Sequence, residues 1–208
     1  MKNNKVINME QIYCELSQKI NSSDLPVLIA VDGRCAAGKS TLAAWLKERF
    51  ECTVNVIHMD DFFLQPYQRT RQRMEEPGGN IDYERFEKEV MYSLSRFENF
   101  SYQIYDCKIK KLSSRIYVEP AEISIVEGSY SCHPALWDFY TLRIFLDVEP
   151  EEQLRRICGR NGAEAVSVFR DKWIPLEEKY FTAYQIQERS DFVFSFIFFK
   201  QTTEVFLH

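Results

Sequence analysis

The sequence predicts an α/β fold, with a mostly parallel sheet covered by helices on both faces in three layers. Three observations predict it. Apolar runs of strand length alternate with stretches of helical period along the 208 residues. Two of those runs end on acids, Asp60-Asp61 and Glu127. Between the first run and the helix after it lies a glycine loop, Gly33-Arg34-Cys35-Ala36-Ala37-Gly38-Lys39-Ser40.

The elements follow in order. Ile7 to Ile20 repeats Ile12, Leu16 and Ile20 at helical spacing, which suits a helix laid on the sheet. Val27 to Val31 is the first strand, followed by the loop and a helix from Thr41 to Phe50. Thr53 to Met59 is the second strand. A turn-rich, mobile segment follows, with Pro66, Arg69, Arg71, Arg73, Pro77, Gly78 and Gly79. A helix is predicted from Tyr83 to Phe97, then a hairpin from Tyr102–Tyr105 and Arg115–Val118. Glu122–Gly128 and Leu142–Val148 are core strands. Helices cover Glu151–Ile157 and Glu164–Glu188, separated by Gly159-Arg160-Asn161-Gly162, with Pro175 kinking the second. Phe192–Phe199 is the last strand. The chain reads as a single domain over 1–208, with an acceptor-side insertion at about 62–118 and a helical lid at about 155–165.

The loop matches G-x-x-x-x-G-K-[ST], and its context of strand, loop and helix is the one phosphate binding requires. Gly33 and Gly38 let the backbone curl so that N–H groups from Arg34, Cys35, Ala36, Ala37 and their neighbours converge on a phosphate. Lys39 reaches the outer phosphates, the Ser40 hydroxyl is a ligand for Mg²⁺, and Thr41 opens the helix whose dipole favours the same charge. The chain is read as a nucleoside triphosphate binder of the P-loop NTPase class, using ATP with Mg²⁺ and leaving GTP open.

Bulk composition narrows the rest. A net charge of −5 with no dominant Lys/Arg run argues against nucleic acid as the main partner. No segment has the length to span a membrane, and the amino terminus lacks a signal-peptide core, so the reading is cytoplasmic. The six cysteines are scattered and read as free thiols, mostly packing groups. Cys35 lies inside the loop, where N–H groups and Lys39 can lower its pKa, although simple space-filling is the plainer reading. Of the three histidines, His58 packs near strand 2, His133 starts a helix and His208 is the last residue, and their spacing makes no metal set.

Three further sets fall where phosphoryl transfer needs them. Asp60-Asp61 supplies a carboxylate beside an acceptor hydroxyl, and the residues alone leave open which of the two is the base. Glu127, ending Ile-Val-Glu, can hold Mg²⁺ opposite Ser40. Arg155, Arg156 and Arg160 stand beside a glycine break as closing arginines, with Arg160 the better lid candidate. Glu151-Arg155 and Glu152-Arg156 are also spaced for pairs along a solvated helix face.

With these residues assembled, the chain resembles the uridine kinase-like branch of the P-loop kinases, which includes nucleoside, pantothenate and phosphoribulose kinases. The resemblance runs from about Val27 to Phe194. It is carried by the loop, Met59-Asp60-Asp61-Phe62-Phe63, Gly79-Asn80-Ile81-Asp82-Tyr83, Tyr105-Asp106 and Val126-Glu127-Gly128. It implies Asp60 as the base on a sugar hydroxyl, Asp82 at the ribose and Tyr105 by the nucleobase. Phe63 and Tyr83 complete the acceptor pocket, and Arg156 and Arg160 serve as lid arginines on the nucleotide. Two departures bear on the acceptor. The family's His-Pro after the Asp82-like residue is Tyr83-Glu84 here, and its base-reading His is replaced by Cys107-Lys108-Ile109-Lys110-Lys111.

The reading is a phosphotransferase moving the γ-phosphate of ATP to a hydroxyl of a small molecule, such as a nucleoside like uridine, with Asp60, Lys39 and Arg160 as catalytic groups. The alternative is a nucleotide-dependent switch or assembly ATPase with no small acceptor. The N-K-x-D and L-S-G-G-Q strings of such proteins are absent from the sequence. Acceptor identity and oligomeric state, including a homo-oligomer, stay open at this stage.

Overall fold

A computed structural model describes residues 9–20, 23 and 26–195. Its centre is a five-stranded parallel sheet with strand order β2-β5-β1-β6-β7. The strands are β1 (Val27–Gly33), β2 (Val54–His58), β5 (Ile123–Glu127), β6 (Leu142–Asp147) and β7 (Phe192–Ser195). A separate antiparallel hairpin is formed by β3 (Phe100–Asp106) and β4 (Lys111–Val118). The first helices are α1 (Met9–Ile20), α2 (Lys39–Arg49), the short α3 (Arg71–Glu75), α4 (Tyr83–Phe86) and α5 (Tyr92–Ser95). After β6 come α6 (Pro150–Asn161), α7 (Ala163–Val168), α8 (Ile174–Tyr184) and α9 (Ile186–Arg189).

The unbroken apolar runs of β1 and β5 are what a central parallel strand requires, since both of its faces are covered. Every residue of both strands is buried. Alternate β1 side chains serve opposite layers, as the pleat dictates. Val27, Ile29 and Val31 join Ile12 and Leu16 of α1 and Leu42 and Leu46 of α2. Leu28 and Ala30 join Phe86, Met91, Tyr102 and Tyr180 on the other side. At roughly 1.5–3 kcal/mol per fully buried large apolar side chain, these two layers supply the main driving force for the fold.

Strand order places the site. β1 and β2, consecutive in sequence, are separated by β5, so the chain crosses over at this point and leaves a crevice at the strands' carboxyl ends. The glycine loop, the Asp60 turn and the residues after Glu127 all emerge there.

Several boundaries differ from the sequence expectation, each for a local reason. The Tyr83–Phe97 helix ends at Ser95 and contains a π-helical turn over Glu87–Met91. The Gly159–Gly162 break is narrower than predicted: α6 runs through Gly159 and Arg160, and the chain turns at Gly162, whose φ is 86°. Arg160 therefore sits in the last turn of a helix. Pro175 lies in the first turn of α8, and the helix accommodates it with a π-helical turn over Phe169–Trp173 just before. Proline offers no N–H and crowds the carbonyl four residues back, and the widened turn relieves both.

His133 lies in a turn ahead of a 3₁₀ turn at Trp137–Phe139 and starts no helix. The Pro66–Gly79 segment is well anchored. The Arg73 guanidinium bonds the carbonyls of Gly79 (2.9 Å) and Ile81 (2.9 Å), the Tyr83 hydroxyl and the Glu84 carboxylate. Cysteine packing is also rarer than expected, since Cys14, Cys107 and Cys158 are exposed and only Cys35 and Cys132 are buried. The predicted strand past Ser195, His208 and the helix residues before Met9 lie outside the described residues. Among the described residues no helix is long and apolar enough to cross a membrane.

Candidate active site

The glycine loop joins the carboxyl end of β1 to α2. Gly33 has φ 130°, and a β-carbon there would stand 2.1 Å from the Leu146 carbonyl oxygen of β6, so no other residue fits. Gly38 caps α2 in the left-handed region, φ 101° and ψ 22°. Ala36 also takes a positive φ of 59°. The loop curls over the positive end of α2, which favours an anion. The N–H groups of Arg34, Cys35 and Ala37, expected to converge on a phosphate, instead bond the Leu146 carbonyl, Glu177 and the Arg34 carbonyl.

Lys39 folds back over this curl. Its ammonium donates to the carbonyls of Gly33 (2.7 Å) and Arg34 (2.9 Å) and to Ser129 Oγ (3.3 Å). Ser40 Oγ lies 3.0 Å from both Glu127 carboxylate oxygens, the register of β1 beside β5 having brought the two ends together. Glu127 Oε1 is also 2.5 Å from His58 Nδ1, whose imidazole pKa is raised chiefly by that contact. A hydroxyl and a carboxylate at one point are hard oxygen donors and fit Mg²⁺.

Asp60 and Asp61 occupy a 3₁₀ turn, Met59–Phe62, directly after β2. The turn sends them different ways. Asp60 faces a cavity of about 980 Å³ shared with the loop. Asp61 turns to the hairpin, accepting from the Tyr102 hydroxyl at 3.2 Å. Asp60 is reached by solvent through the cavity yet is ringed by protein. Burial raises its pKa, Glu127, Asp61 and Glu177 add to the rise, and Lys39 opposes it.

The same cavity collects Cys35, Ala36, Gly38, Lys39, Ser40 and Thr41 from the loop, Phe63 from just after the Asp60 turn and Tyr105 from β3. Glu127 lies at its strand edge, with Arg156 and Arg160 from α6. Gly33 and Ala37 shape the loop without lining the space. The Arg34 side chain leaves the loop altogether, pairing with Asp147 at 2.6 Å and with Glu178.

Asp82 and Tyr83 stand outside the lining. Asp82 caps α4 through the Arg85 N–H (3.2 Å) and accepts from the Gln68 amide (2.7 Å). Tyr83 stacks on His133 at 3.9 Å, and its hydroxyl donates to Glu76 at 3.0 Å. On α6 the expected Glu152–Arg156 pair forms at 2.8 Å, while Arg155 pairs with Glu152 at 2.6 Å in place of Glu151. Arg160 bonds Asn161 Oδ1 at 2.8 Å.

Several residues of the site went unread in the sequence. Glu177 of α8 is 4% exposed, accepts the Cys35 N–H at 3.0 Å and takes the Ser129 hydroxyl at 2.6 Å. Gln153 of α6 donates to the Cys35 carbonyl at 3.1 Å. Burial, followed by the Glu177 charge, pushes the Cys35 thiol up to about 12, so packing is its part and the lowered pKa expected of it does not arise. Asp32, fully buried, accepts the N–H groups of Gly33 (2.7 Å), Tyr130 (3.1 Å) and Cys132 (2.8 Å) and the Tyr180 hydroxyl (2.8 Å). Its one sequence signal was an acid inside a strand otherwise wholly apolar.

Solved structures share this fold. A candidate uridine kinase of Bacillus stearothermophilus superimposes with a TM-score of 0.63 at 19% identity, covering 86% of this chain and 99% of that one. A candidate fructose transport system kinase of Silicibacter sp. TM1040 gives 0.67 at 19% identity, over 90% and 99%. The D-glycerate 3-kinase of Cryptococcus neoformans var. grubii gives 0.62 at 15%, over 82% and 87%. The fold is that of the P-loop kinases. No family model matches the chain. The uridine kinase-like structure is thus one of several kinase structures that share the fold, and the kinases these three are named as differ from one another.

Proposed function

We propose that the protein is a small-molecule kinase that moves the γ-phosphate of a nucleoside triphosphate to a hydroxyl. The observation that carries this reading is the convergence of Lys39, the Ser40–Glu127 pair, Asp60 and the α6 arginines on one cavity that also has room for an acceptor. Bound Mg²⁺-ATP would supply the activated phosphoryl group, with Ser40 and Glu127 as the residues that fit the ion.

The chain's own groups supply position and charge. The amino end of α2, from Gly38 to Thr41, holds the phosphates through its N–H groups and its dipole. Lys39 and, on the lid of about 155–165, Arg156 and Arg160 neutralise charge that grows on the transferring group. Asp60 takes the proton of the acceptor hydroxyl and aims its oxygen. Phe63 and Tyr105, from the acceptor-side segment of about 62–118, wall the acceptor in and limit water. Asp61, engaged by Tyr102, is the weaker choice for the base. A sugar hydroxyl of a nucleoside such as uridine is one acceptor class with this chemistry, and GTP in place of ATP would use the same loop.

Release of ADP from Mg²⁺-ATP against nucleosides, polyols and sugar phosphates tests the reading. Wild type should turn over only with an acceptor, and Lys39→Ala and Asp60→Asn should each lose about a hundredfold or more in kcat. Slow hydrolysis indifferent to every acceptor and to Asp60→Asn would instead identify a nucleotide switch or ATPase.

A further inference from the structure

Phosphate transfer accounts for the cations at one end of the cavity. Two more line it and have no part in that chemistry: Arg69, between the Pro66–Gln68 turn and α3, and Lys110, in the turn of the β3–β4 hairpin.

Arg69 is held by neutral groups, and Lys110 by the backbone of its turn. Arg69 Nε donates to the Leu64 carbonyl at 3.0 Å and its Nη2 to the Tyr105 hydroxyl at 3.2 Å. The guanidinium also lies 5.8 Å from the centre of the Tyr105 ring. These contacts fix the group while leaving the rest of its N–H fork unused. Lys110 has a positive φ of 56°, a conformation a non-glycine residue adopts only where the surrounding turn imposes it. The turn is built by Asp106, whose carboxylate accepts the Lys108 and Ile109 N–H groups at 2.7 and 3.3 Å and whose carbonyl accepts that of Lys110 at 2.7 Å. Among the described residues neither Arg69 nor Lys110 has a carboxylate in salt-bridge contact. A guanidinium fixed at a cavity wall without a salt-bridged carboxylate, with a second cation on the same lining, suits an anion such as a carboxylate or phosphate.

The acids that line the cavity are Asp60, Glu127 and Glu177. All three are engaged with or near Lys39 and Ser40 at the phosphate end. Cys107, in the same lining, feels the charges of Arg69, Asp60 and Asp106, which puts Arg69 within electrostatic range of the proposed base. Lys110 also lies in the Cys107–Lys111 stretch, where a nucleobase-reading histidine would be expected in a uridine kinase-like chain.

We propose that the acceptor hydroxyl belongs to a molecule that carries its own anionic group, a carboxylate or a phosphate, docked on Arg69 and Lys110. The inference rests on the kinase reading above and narrows its substrate class. Arg69 and Lys110 are specificity residues: they bind the far end of the acceptor and so place its hydroxyl at Asp60.

The test uses a matched set, ribose, ribonate and ribose 5-phosphate, with uridine as a neutral nucleoside, assayed with Mg²⁺-ATP. Wild type should favour an anionic member over ribose and uridine by about tenfold or more in kcat/KM, and ribonate against ribose 5-phosphate tells which anion is read. Arg69→Gln and Lys110→Gln should each raise KM for that member by about tenfold to a hundredfold, the range for a lost charged hydrogen bond, with a smaller effect on kcat. The KM for ATP should move far less. Lys110→Gln is an exposed turn substitution and guards against a misfolded Arg69 variant. Preference for a neutral member, or equal loss on neutral and anionic acceptors, would overturn the proposal.

Absence of any acceptor-dependent turnover would count against the kinase reading itself. Calorimetric titration of ribose, ribonate and ribose 5-phosphate into the protein bearing a non-hydrolysable ATP analogue then decides the anion site separately. Tighter binding of an anion, lost in Arg69→Gln/Lys110→Gln, supports it, and indistinguishable titrations of wild type and variant reject it.

Discussion

Asp60 is one carboxylate among several at the strand ends, and its surroundings single it out. Desolvation raises its pKa first, the charges of Glu127, Asp61 and Glu177 raise it further, and Lys39 pulls it back. A base works only when deprotonated. As pH falls through the raised pKa, Asp60 takes up its proton and kcat/KM should fall with it. The acid limb of the pH–rate profile should therefore lie above the range of an ordinary carboxylate, with a plateau on its alkaline side. Glu177→Gln removes one of the neighbouring negative charges, so the limb should move to lower pH. A limb at the ordinary carboxylate position would remove Asp60 from the role.

At the scale of elements, Glu177 shows how a helix can complete a loop it is far from in sequence. The Cys35 N–H and the Ser129 hydroxyl that it accepts lie 142 and 48 residues away along the chain. Glu177→Ala leaves the Cys35 N–H without its acceptor and should cost about 1–3 kcal/mol of stability by chemical denaturation, with weaker nucleotide binding. Glu177→Gln keeps an acceptor for Cys35 and can bond Ser129 through its amide, while removing a negative charge from the phosphate cavity. It should bind Mg²⁺-ATP about threefold to tenfold more tightly, the opposite sign. Calorimetric Kd values for both variants check this, and a loss in both would mean that the charge itself organises the loop.

This distance also explains what was legible beforehand. The phosphate loop is a local string whose strand and helix lie within a few residues, and Glu127 declares itself by ending an apolar strand. Glu177 looks like any surface acid until α8 is packed against β1 and the loop. Asp82 was legible as an acid near the pocket. Its cap on the Arg85 N–H is local, but its bond from Gln68 depends on the anchored Arg73 segment bringing that amide round. Arg34 shows the same limit, since membership of the loop fixes its backbone while Asp147 and Glu178 decide where its side chain goes.

For the whole molecule the decisive point is Asp32, where the central strand, the turn after β5 and α8 meet. Oδ1 accepts Gly33 and Tyr130, and Oδ2 accepts Cys132 and Tyr180. Burial pushes the carboxyl pKa up, and the N–H donors of Cys132 and Gly33 pull it back. This one residue holds β1, the Tyr130 turn with its positive φ of 74°, and the helix that carries Glu177 in a single arrangement. Asp32→Ala leaves four fully or nearly buried donors facing an apolar side chain and should cost about 3–5 kcal/mol. Asp32→Asn should cost less: its oxygen keeps Gly33 and Tyr130, its amide can donate to a rotated Tyr180 hydroxyl, and only the Cys132 N–H loses its partner. Tyr180→Phe removes a single donor and should cost about 1 kcal/mol. The order Ala, Asn, Phe in urea midpoints, with unchanged m-values, is the expected result. An Asp32→Ala protein within about 1 kcal/mol of wild type would mean that these donors find water or other partners, and that the site's elements are held together by apolar packing alone.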